Sequence, residues 1–109
     1  MANTFKLKTK ANVGVTTVGI YTAPAATTTV VIGITLANTS GSGVNVGVGI
    51  TRGGTTEDVK LLKNAPIPQG SSLEFMGGNK VVLETTDTLT VDSDTNNSVD
   101  AALTIMEIT

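Results

Sequence analysis

The residues of this chain that could bind a metal ion cluster in the stretch VDSDTNNSVD. Asp92, Asp94 and Asn96 occupy alternate positions, as oxygen ligands do in a calcium-binding loop. Asp100 could supply a further carboxylate from the end of the same stretch. These four residues are the candidate metal ligands of the sequence.

The spacing of these residues departs from that of an EF-hand loop at two decisive positions. With Asp92 as the first position, the sixth, which needs glycine for a sharp turn, is Asn97, and the twelfth, where a bidentate glutamate is expected, is Leu103. No helix is predicted on either side, and Asp and Asn commonly form turns. We therefore interpret the stretch as a loop between two strands and expect that no metal or other cofactor is required. A calcium site of another type is the alternative.

The sequence offers little support for catalysis. It has no histidine and no cysteine, which removes the usual general base and the cysteine nucleophile. Glu84 and Asp87 lie three residues apart in ETTDT, but two acids in one exposed turn do not form the desolvated pair across a cleft that glycoside hydrolysis needs. Asp87 can instead cap the turn. Arg52 could hold an anion, although an arginine beside a hairpin is usually solvated. We predict a protein that is not an enzyme and has no catalytic residue.

Charge and hydropathy argue against nucleic acid and membrane as partners. The formal net charge is −2 and the pI is about 4.8, so the chain lacks a basic footprint. Lys6, Lys8 and Lys10 form its one basic cluster, and their alternation indicates the wet face of a strand. No run approaches the ~20 apolar residues of a membrane span, and the first ten residues lack the apolar core of a signal peptide. We expect synthesis and folding in a cytoplasm.

Apolar and polar residues alternate through nearly every segment, which is the period of β-strands. The clearest case, VNVGVGIT, predicts Val44, Val46, Val48 and Ile50 on an inner face. Threonine, valine and glycine are abundant, and no window predicts a convincing helix. The segments recur at the spacing of an antiparallel sandwich. Residues 1–109 are therefore predicted to form a single all-β domain, an antiparallel β-sandwich or jelly roll of eight or nine strands.

Glycines and aromatic residues within the predicted strands give further expectations. Gly33, Gly47 and Gly49 indicate either β-bulges, the interpretation we favour, or the close approach of another backbone, as in a subunit contact. Phe5 and Phe75 are predicted to lie in the core.

Two connections and the outward-facing residues are also interpretable. APIPQGSS contains two prolines and predicts a crossing loop, and GGN between SLEFM and KVVLE predicts a tight hairpin. The outward positions carry mainly Thr, Asn and Ser, a surface that suits packing against copies of the same chain. We expect subunit contacts on these threonine-rich faces and near the strand glycines.

Four segments give the chain a family resemblance: IYTAPA, GITLANTSG, PIPQGSSL and VVLETTDTLTV. Together with the N-terminal FKLKTKANVG and the C-terminal SVDAALTIMEI, they resemble small β-rich virion structural proteins of tailed bacteriophages, notably those of marine cyanobacteria and other ocean hosts. The resemblance covers almost the whole chain. Such proteins usually have a Pro-Gly-Asp turn where this chain has Thr85, Thr86 and Asp87, which leaves the turn type open.

The resemblance implies a structural building block of a phage particle, placed on its head, neck or tail, and made in the host cytoplasm. The implied partners are copies of the chain itself, with a trimer favoured by analogy, and other virion proteins forming a larger shell. The alternative function is a carbohydrate- or receptor-binding β-sandwich, since this architecture hosts many such sites. Tyr21 is the aromatic residue that could serve such a site, because Phe5 and Phe75 are predicted to be core.

Overall fold

The computed structural model describes residues 3–54, 57–75 and 80–109. Within these ranges the chain is all-β, and no helix of the length and hydropathy that crosses a membrane is present. The described residues form nine strands: β1 (Asn3–Val13), β2 (Val18–Thr22), β3 (Thr28–Asn38), β4 (Val44–Thr51), β5 (Asp58–Ile67), β6 (Ser72–Phe75), β7 (Val81–Leu83), β8 (Thr88–Ser93) and β9 (Val99–Ile108).

The strands form two antiparallel sheets that pack face to face. Sheet A has the order β1-β9-β3-β6, with β7 also paired to β3, and sheet B has the order β2-β8-β4-β5. The pairings are nested around the β4–β5 hairpin, because β3 pairs with β6 and β7, β2 with β8, and β1 with β9. A chain folded back on itself in this way and wrapped into two sheets is a jelly roll. The predicted fold class is confirmed.

The core lies between the sheets and consists almost entirely of aliphatic side chains. On β4, Val44, Val46, Val48 and Ile50 are all buried, which confirms the predicted inner face. The other strands contribute residues by the same period-two alternation. The core residues outside β4 are Val13, Tyr21, Ala23, Val31, Ile34, Leu36, Ile67, Leu83, Leu89, Val91, Val99, Ala101, Leu103 and Ile105.

All three strand glycines lie at irregularities of the ladder, as the favoured interpretation requires. The register of β3 against β9 shifts immediately before Gly33, and that of β4 against β5 shifts at Gly47 and again before Gly49. Close approach also occurs, but within the chain. A Cβ on Gly49 would lie 2.8 Å from the carbonyl oxygen of Val59, and one on Gly47 would lie 2.5 Å from Asp92 Oδ1.

The structure corrects the prediction for β1. The strand alternates as expected, but Lys6 pairs with the buried Ile105 and therefore lies on the inner side of sheet A, where its side chain stays 43% exposed. Phe5 is on the outer side and is 69% exposed, so its predicted core position is wrong. Phe75 is half-buried and packs against the core. The alternation alone could not show which side faces sheet B.

One predicted connection differs from the structure. The proline segment does not begin a crossing loop at once, since β5 continues through Pro66 to Ile67. Proline is tolerated there because β5 is an edge strand and needs no donor on its free side.

The tight hairpin predicted at Gly-Gly-Asn, 77–79, lies outside the described residues. In the part that is described, the flanking strands β6 and β7 both pair with β3.

The turn that precedes β8 can now be assigned. The Asp87 N–H donates to the Glu84 carbonyl at 2.9 Å, and Thr86, at the third position, has a φ of 70°. Positive φ at the third position is the feature of a type II turn, in which glycine is preferred and a β-branched residue is strained.

Candidate functional site

The outer side of sheet A carries a continuous row of apolar side chains. Phe5 on β1 pairs with Met106 on β9. Met106 pairs in turn with Val30 on β3, which pairs with Val82 on β7. Cross-strand partners point to the same side of a sheet, so these four residues form a row across four strands, which we call the ridge. Phe5 and Val82 are 69% and 54% exposed.

Beside the ridge, the same side of sheet A is lined by small side chains. Ala102 on β9 pairs with Thr9 on β1 and with Thr35 on β3, and Thr104 pairs with Gly33. A shallow depression of about 300 Å³ borders Gly33, Thr35, Ala102 and Thr104, and its rim includes the exposed Glu74, which pairs with Thr35. We call Thr9, Gly33, Thr35, Ala102 and Thr104 the groove. Ridge and groove lie on the outer face of sheet A, where most side chains are apolar or small and the carboxylates are those of Glu74 and Asp100.

Leu7 stands between the ridge and the groove. It pairs with Thr104 and is 64% exposed. Leu7, Phe5 and Val82 account for three of the five large hydrophobic residues that are exposed in the described part of the chain; the other two, Val15 and Val59, lie elsewhere. Scattered exposed hydrophobics are ordinary, whereas a contiguous group marks an interaction surface.

The free edges of the two sheets are protected against pairing with another strand. Lys6, Lys8 and Lys10 point inward from the edge strand β1, and an inward charge opposes the addition of a strand. The edge strand β5 carries Pro66, which cannot donate to a new ladder. The remaining edges, β2, β6 and β7, are five residues long or shorter. Edge-to-edge association is therefore disfavoured.

The outer face of sheet B is polar, and its side chains bind one another. The hydroxyls of Thr22 and Thr88 form a hydrogen bond of 2.9 Å, and Thr51 Oγ1 donates to Asp58 Oδ1 at 2.8 Å. This is the threonine-rich surface on which the sequence predicts subunit contacts. Because its polar groups already have partners within the chain, covering it offers less than covering the outer face of sheet A.

Two of the predicted metal ligands lie near this face and have separate partners. Asp92 is on β8, where its Oδ2 accepts a hydrogen bond from Thr17 Oγ1 at 3.0 Å and lies 3.9 Å from Lys60 Nζ. Asp94 follows β8, and its Oδ1 accepts from the Asn45 N–H at 3.1 Å. Each carboxylate thus fastens a different neighbouring segment.

The other two predicted ligands are directed elsewhere. Asn96 Oδ1 accepts from the Val15 N–H at 3.4 Å, and Asp100, on β9, accepts from the Asn12 N–H at 3.0 Å. Only residues 94–98 form the connection between β8 and β9, so the predicted loop is shorter than expected. In residues 3–54, 57–75 and 80–109 no group of three or more acidic side chains is placed to hold a metal ion.

Arg52, Glu84 and Asp87 form an ionic cluster that joins the turn after β4 to the turn before β8. Arg52 Nε donates to Asp87 Oδ1 at 3.0 Å, and Arg52 Nη2 donates to Glu84 Oε1 at 2.5 Å. The N–H groups of Gly53 and Glu84 also donate to Asp87, at 3.1 and 2.9 Å. Asp87 caps its turn as predicted. It is buried, however, so the expectation that both acids are exposed is wrong.

The pKa shifts of Asp87 and Arg52 both favour the charged form of the side chain. Burial alone would raise the pKa of Asp87, but the hydrogen bonds from Gly53, Glu84 and Arg52 together hold it below its usual range. The hydrogen bond to Asp87 and its negative charge raise the pKa of Arg52. Because Arg52 is paired with two carboxylates of its own chain, it links the two turns and is not a free anion-binding site.

A second polar cluster lies inside the sandwich and links four strands. Tyr21 on β2 donates its hydroxyl proton to Glu107 Oε2 on β9 at 2.6 Å, and its hydroxyl lies 2.8 Å from Thr29 Oγ1 on β3. Lys6 on β1 pairs with Glu107 Oε1 at 2.8 Å. Tyr21 is buried, so it cannot provide the exposed ring that the sugar-binding alternative requires.

This cluster also has shifted pKa values. The hydrogen bond from Lys6, with that from Tyr21, holds the pKa of Glu107 below its usual range. Burial and the hydrogen bond to Glu107 raise the pKa of Tyr21 to about 12. A general base would need a higher pKa and an open approach, whereas Glu107 is buried and ionised. The cluster therefore stabilises the packing of the sheets.

Neither Glu107 nor the ridge was identified from the sequence, although a signal for Glu107 was present. Val99, Ala101, Leu103 and Ile105 alternate inward on β9, and the same period places Glu107 inward. The ridge joins strands far apart in the sequence, so it depends on the strand order.

In comparisons with known proteins, no family model and no curated protein matches the chain. Several solved structures match the chain, and two of them illustrate the shared fold. A chain from the work "Bacillus endospore appendages form a novel family of disulfide-linked pili" has 16% identity and a TM-score of 0.57, with 99% of this chain and 87% of that chain covered. A chain of the T13 IBDV viral particle has 13% identity and a TM-score of 0.58. That match covers 96% of this chain but 30% of the viral chain.

Proposed function

We propose that the protein is a non-enzymatic structural subunit that associates with copies of itself. The observation that carries this proposal is the concentration of exposed apolar side chains, Phe5, Leu7 and Val82, on the outer face of sheet A. A jelly roll with such a face is suited to burial in an assembly. The likeness in fold to an appendage pilus and a viral particle is in keeping with this role.

The finer form of the proposal is a component of a phage virion, on the head, neck or tail. Its support is the sequence resemblance to virion proteins of tailed phages. As part of a particle, the chain would contact its own copies and other virion proteins, and weak individual contacts would suffice because avidity accumulates. The spore-appendage pili are described as disulfide-linked. This chain has no cysteine, so its assembly would rest on non-covalent contacts.

The absence of catalysis is part of the proposal. The two buried carboxylates, Asp87 and Glu107, are engaged by Arg52 and Lys6 within the chain. The sequence contains no histidine to act as a general base. The sugar-binding alternative loses Tyr21, which is buried. The exposed aromatic ring is instead Phe5, which lies in the ridge beside Met106 and which we assign to the contact between copies.

Light scattering on the purified wild-type chain tests self-association. The monomer has a mass of 11.1 kDa. We expect the mass to rise with concentration toward a small closed oligomer. A constant 11.1 kDa up to high micromolar concentration would remove self-association. Proteomics of purified virions from a phage that encodes the chain tests the finer form, because absence from the particles contradicts a virion role.

A further inference from the structure

We infer that the occupant of the outer face of sheet A is the same face of a second copy, related by a twofold axis. The inference rests on the proposed self-association and adds which surface is used and how. The face has a row of large side chains at one end and a row of small ones at the other. A second copy turned end over end would therefore fit ridge into groove twice.

The area of the face favours an occupant of its own size. Strands β1, β3 and β9 have ten or eleven residues each, and β6 and β7 together form a shorter fourth column. At ~4.8 Å spacing and ~3.4 Å rise per residue the surface is at most roughly 19 by 34 Å, on the order of 600 Å². This approaches the ~800 Å² that each partner contributes to a standard interface. Another sheet of the same dimensions covers it without leaving ridge side chains in water.

The distribution of exposed apolar residues indicates that the contact between two copies is twofold and not head-to-tail. A head-to-tail contact needs a second, complementary apolar patch on the same chain. In the described residues outside this face, the exposed large hydrophobics are Val15, in the loop after β1, and Val59, on β5. Val15 lies on a different element, and Val59 lines a depression together with Val82 at the border of this face, so the two do not form a second apolar patch. The surface that can match the ridge and groove is another copy of them, which requires a twofold contact.

The positions of the large and small side chains on this face determine where the twofold axis lies. An axis along the row of Leu7, Thr104 and Gly33 exchanges the ridge with the groove. It sets Met106 of one copy over Ala102 of the other, so that a large side chain meets a small one, as in a well-packed core. It also sets Val82 over Glu74, which ends the groove row on β6. Leu7 lies on the axis and faces Leu7 of the second copy.

Sedimentation velocity over a range of concentrations tests this arrangement with matched variants. Val82 and Val15 are both valines, 54% and 55% exposed, and differ in that Val82 belongs to the ridge. We expect Val82→Ser to weaken association at least severalfold and Val15→Ser to leave it unchanged. Leu7→Asp should weaken it more than tenfold, because two carboxylates would meet at the axis. Circular dichroism checks that each variant folds, which we expect because all three side chains are exposed.

The outcomes separate this inference from the proposed function. If the wild type associates and the variants associate equally well, a different surface is used and the inference is overturned while self-association stands. Wild-type masses that fit a trimer and no dimer overturn the twofold contact. A wild type that remains monomeric at all concentrations overturns both. If the chain binds other virion proteins through this face as a monomer, the second copy is the wrong occupant.

Discussion

The outer faces of sheets A and B arise from the same alternation of residues but present different chemistry. On sheet A most outward residues are apolar or small, and covering their apolar area gains about 25 cal/mol per Å². On sheet B the outward Thr22 and Thr88 bind each other, and Thr51 binds Asp58. These polar groups already have partners within the chain, whereas Phe5, Leu7 and Val82 are exposed to water. The contact face is therefore identified by its exposed apolar side chains.

The polar clusters and the outer face of sheet A are expected to respond differently to substitution. Removing a polar partner from the clusters that hold the sheets together should cost stability, and changing the outer face of sheet A should cost association.

The largest effect on stability is expected when aspartate replaces an inner valine, and a much smaller one when it replaces an outer valine. Val46 is buried on β4 and Val82 is exposed on β7. Val46→Asp buries an unpaired charge and should cost more than about 4 kcal/mol, enough to prevent folding. Val82→Asp should stay folded, within about 1 kcal/mol of the wild type. Circular dichroism and urea unfolding measure both. A folded Val46→Asp protein would mean that the register of β4 is shifted by one residue.

The second effect concerns the buried hydroxyl of Tyr21. Tyr21→Phe removes the hydrogen-bond partner of Glu107 Oε2 and of the Thr29 hydroxyl, while Lys6 still pairs with Glu107 Oε1, and it should lower the free energy of unfolding by about 2 kcal/mol. Thr22→Val, which removes an exposed hydroxyl bound to Thr88, should cost less than about 0.5 kcal/mol. Equal effects of the two substitutions would show that the interior cluster contributes nothing special.

Tyr21 also predicts a loss of stability in alkali. Its pKa is raised from 10.0 to about 12 in the folded protein. The unfolded chain therefore releases this proton first, so stability is complete below pH 10 and falls as the pH rises toward 12. Thermal unfolding against pH should show this loss in the wild type and a smaller one in Tyr21→Phe.

The third effect concerns the ionic cluster of Arg52, Glu84 and Asp87. Asp87→Asn places an amide NH₂ against groups that donate hydrogen bonds, and we expect a loss of about 2 kcal/mol. Glu84→Gln, in which the side chain is 71% exposed, should change stability by less than about 0.5 kcal/mol. Denaturant unfolding of the two variants tests the difference. A larger effect at Glu84 would contradict the assignment of Asp87 as the central group.

Acid should act on the same carboxylates. The pKa values of Asp87 and Glu107 are lowered by folding, so the unfolded chain takes up these protons at a higher pH than the folded protein does. Stability is therefore complete above the ordinary carboxyl range, about pH 4, and is lost as the pH falls through the lower folded values. Asp87→Asn should reduce this dependence.

A smaller gain is expected from the strained turn. Thr86 has a φ of 70°, which glycine adopts without strain. Thr86→Gly should raise the free energy of unfolding by about 0.5–1 kcal/mol. Thr85→Gly, in the same turn but outside the positive-φ positions, should lower it. Thermal unfolding distinguishes the two, and destabilisation by both would contradict a type II turn.

No effect is expected from calcium. Asp92 and Asp94 hold different segments through hydrogen bonds. Thermal unfolding with excess calcium and with a chelator should give the same midpoint. A rise of several degrees in calcium, abolished by Asp92→Ala or Asp94→Ala, would make this region a metal site.

The sequence predicted what depends on local alternation and left open what depends on strand order. The inner face of β4, the bulges at the strand glycines and the cap by Asp87 are local, and all three are confirmed. The exposure of Phe5 is not local, because β1 alternates equally well in either orientation. Its outward side is fixed by pairing with β9, more than ninety residues away.

The most direct test of the central claim is hydroxyl-radical footprinting of the wild-type chain at dilute and at associating concentrations. The side chains to follow are Phe5 and Met106 on the ridge and Val15 in the loop after β1, outside the outer face of sheet A. We predict that modification of Phe5 and Met106 falls severalfold on association, while that of Val15 stays constant. Constant modification of Phe5 and Met106 in an associated sample, with protection of Val15, would contradict a contact through the outer face of sheet A.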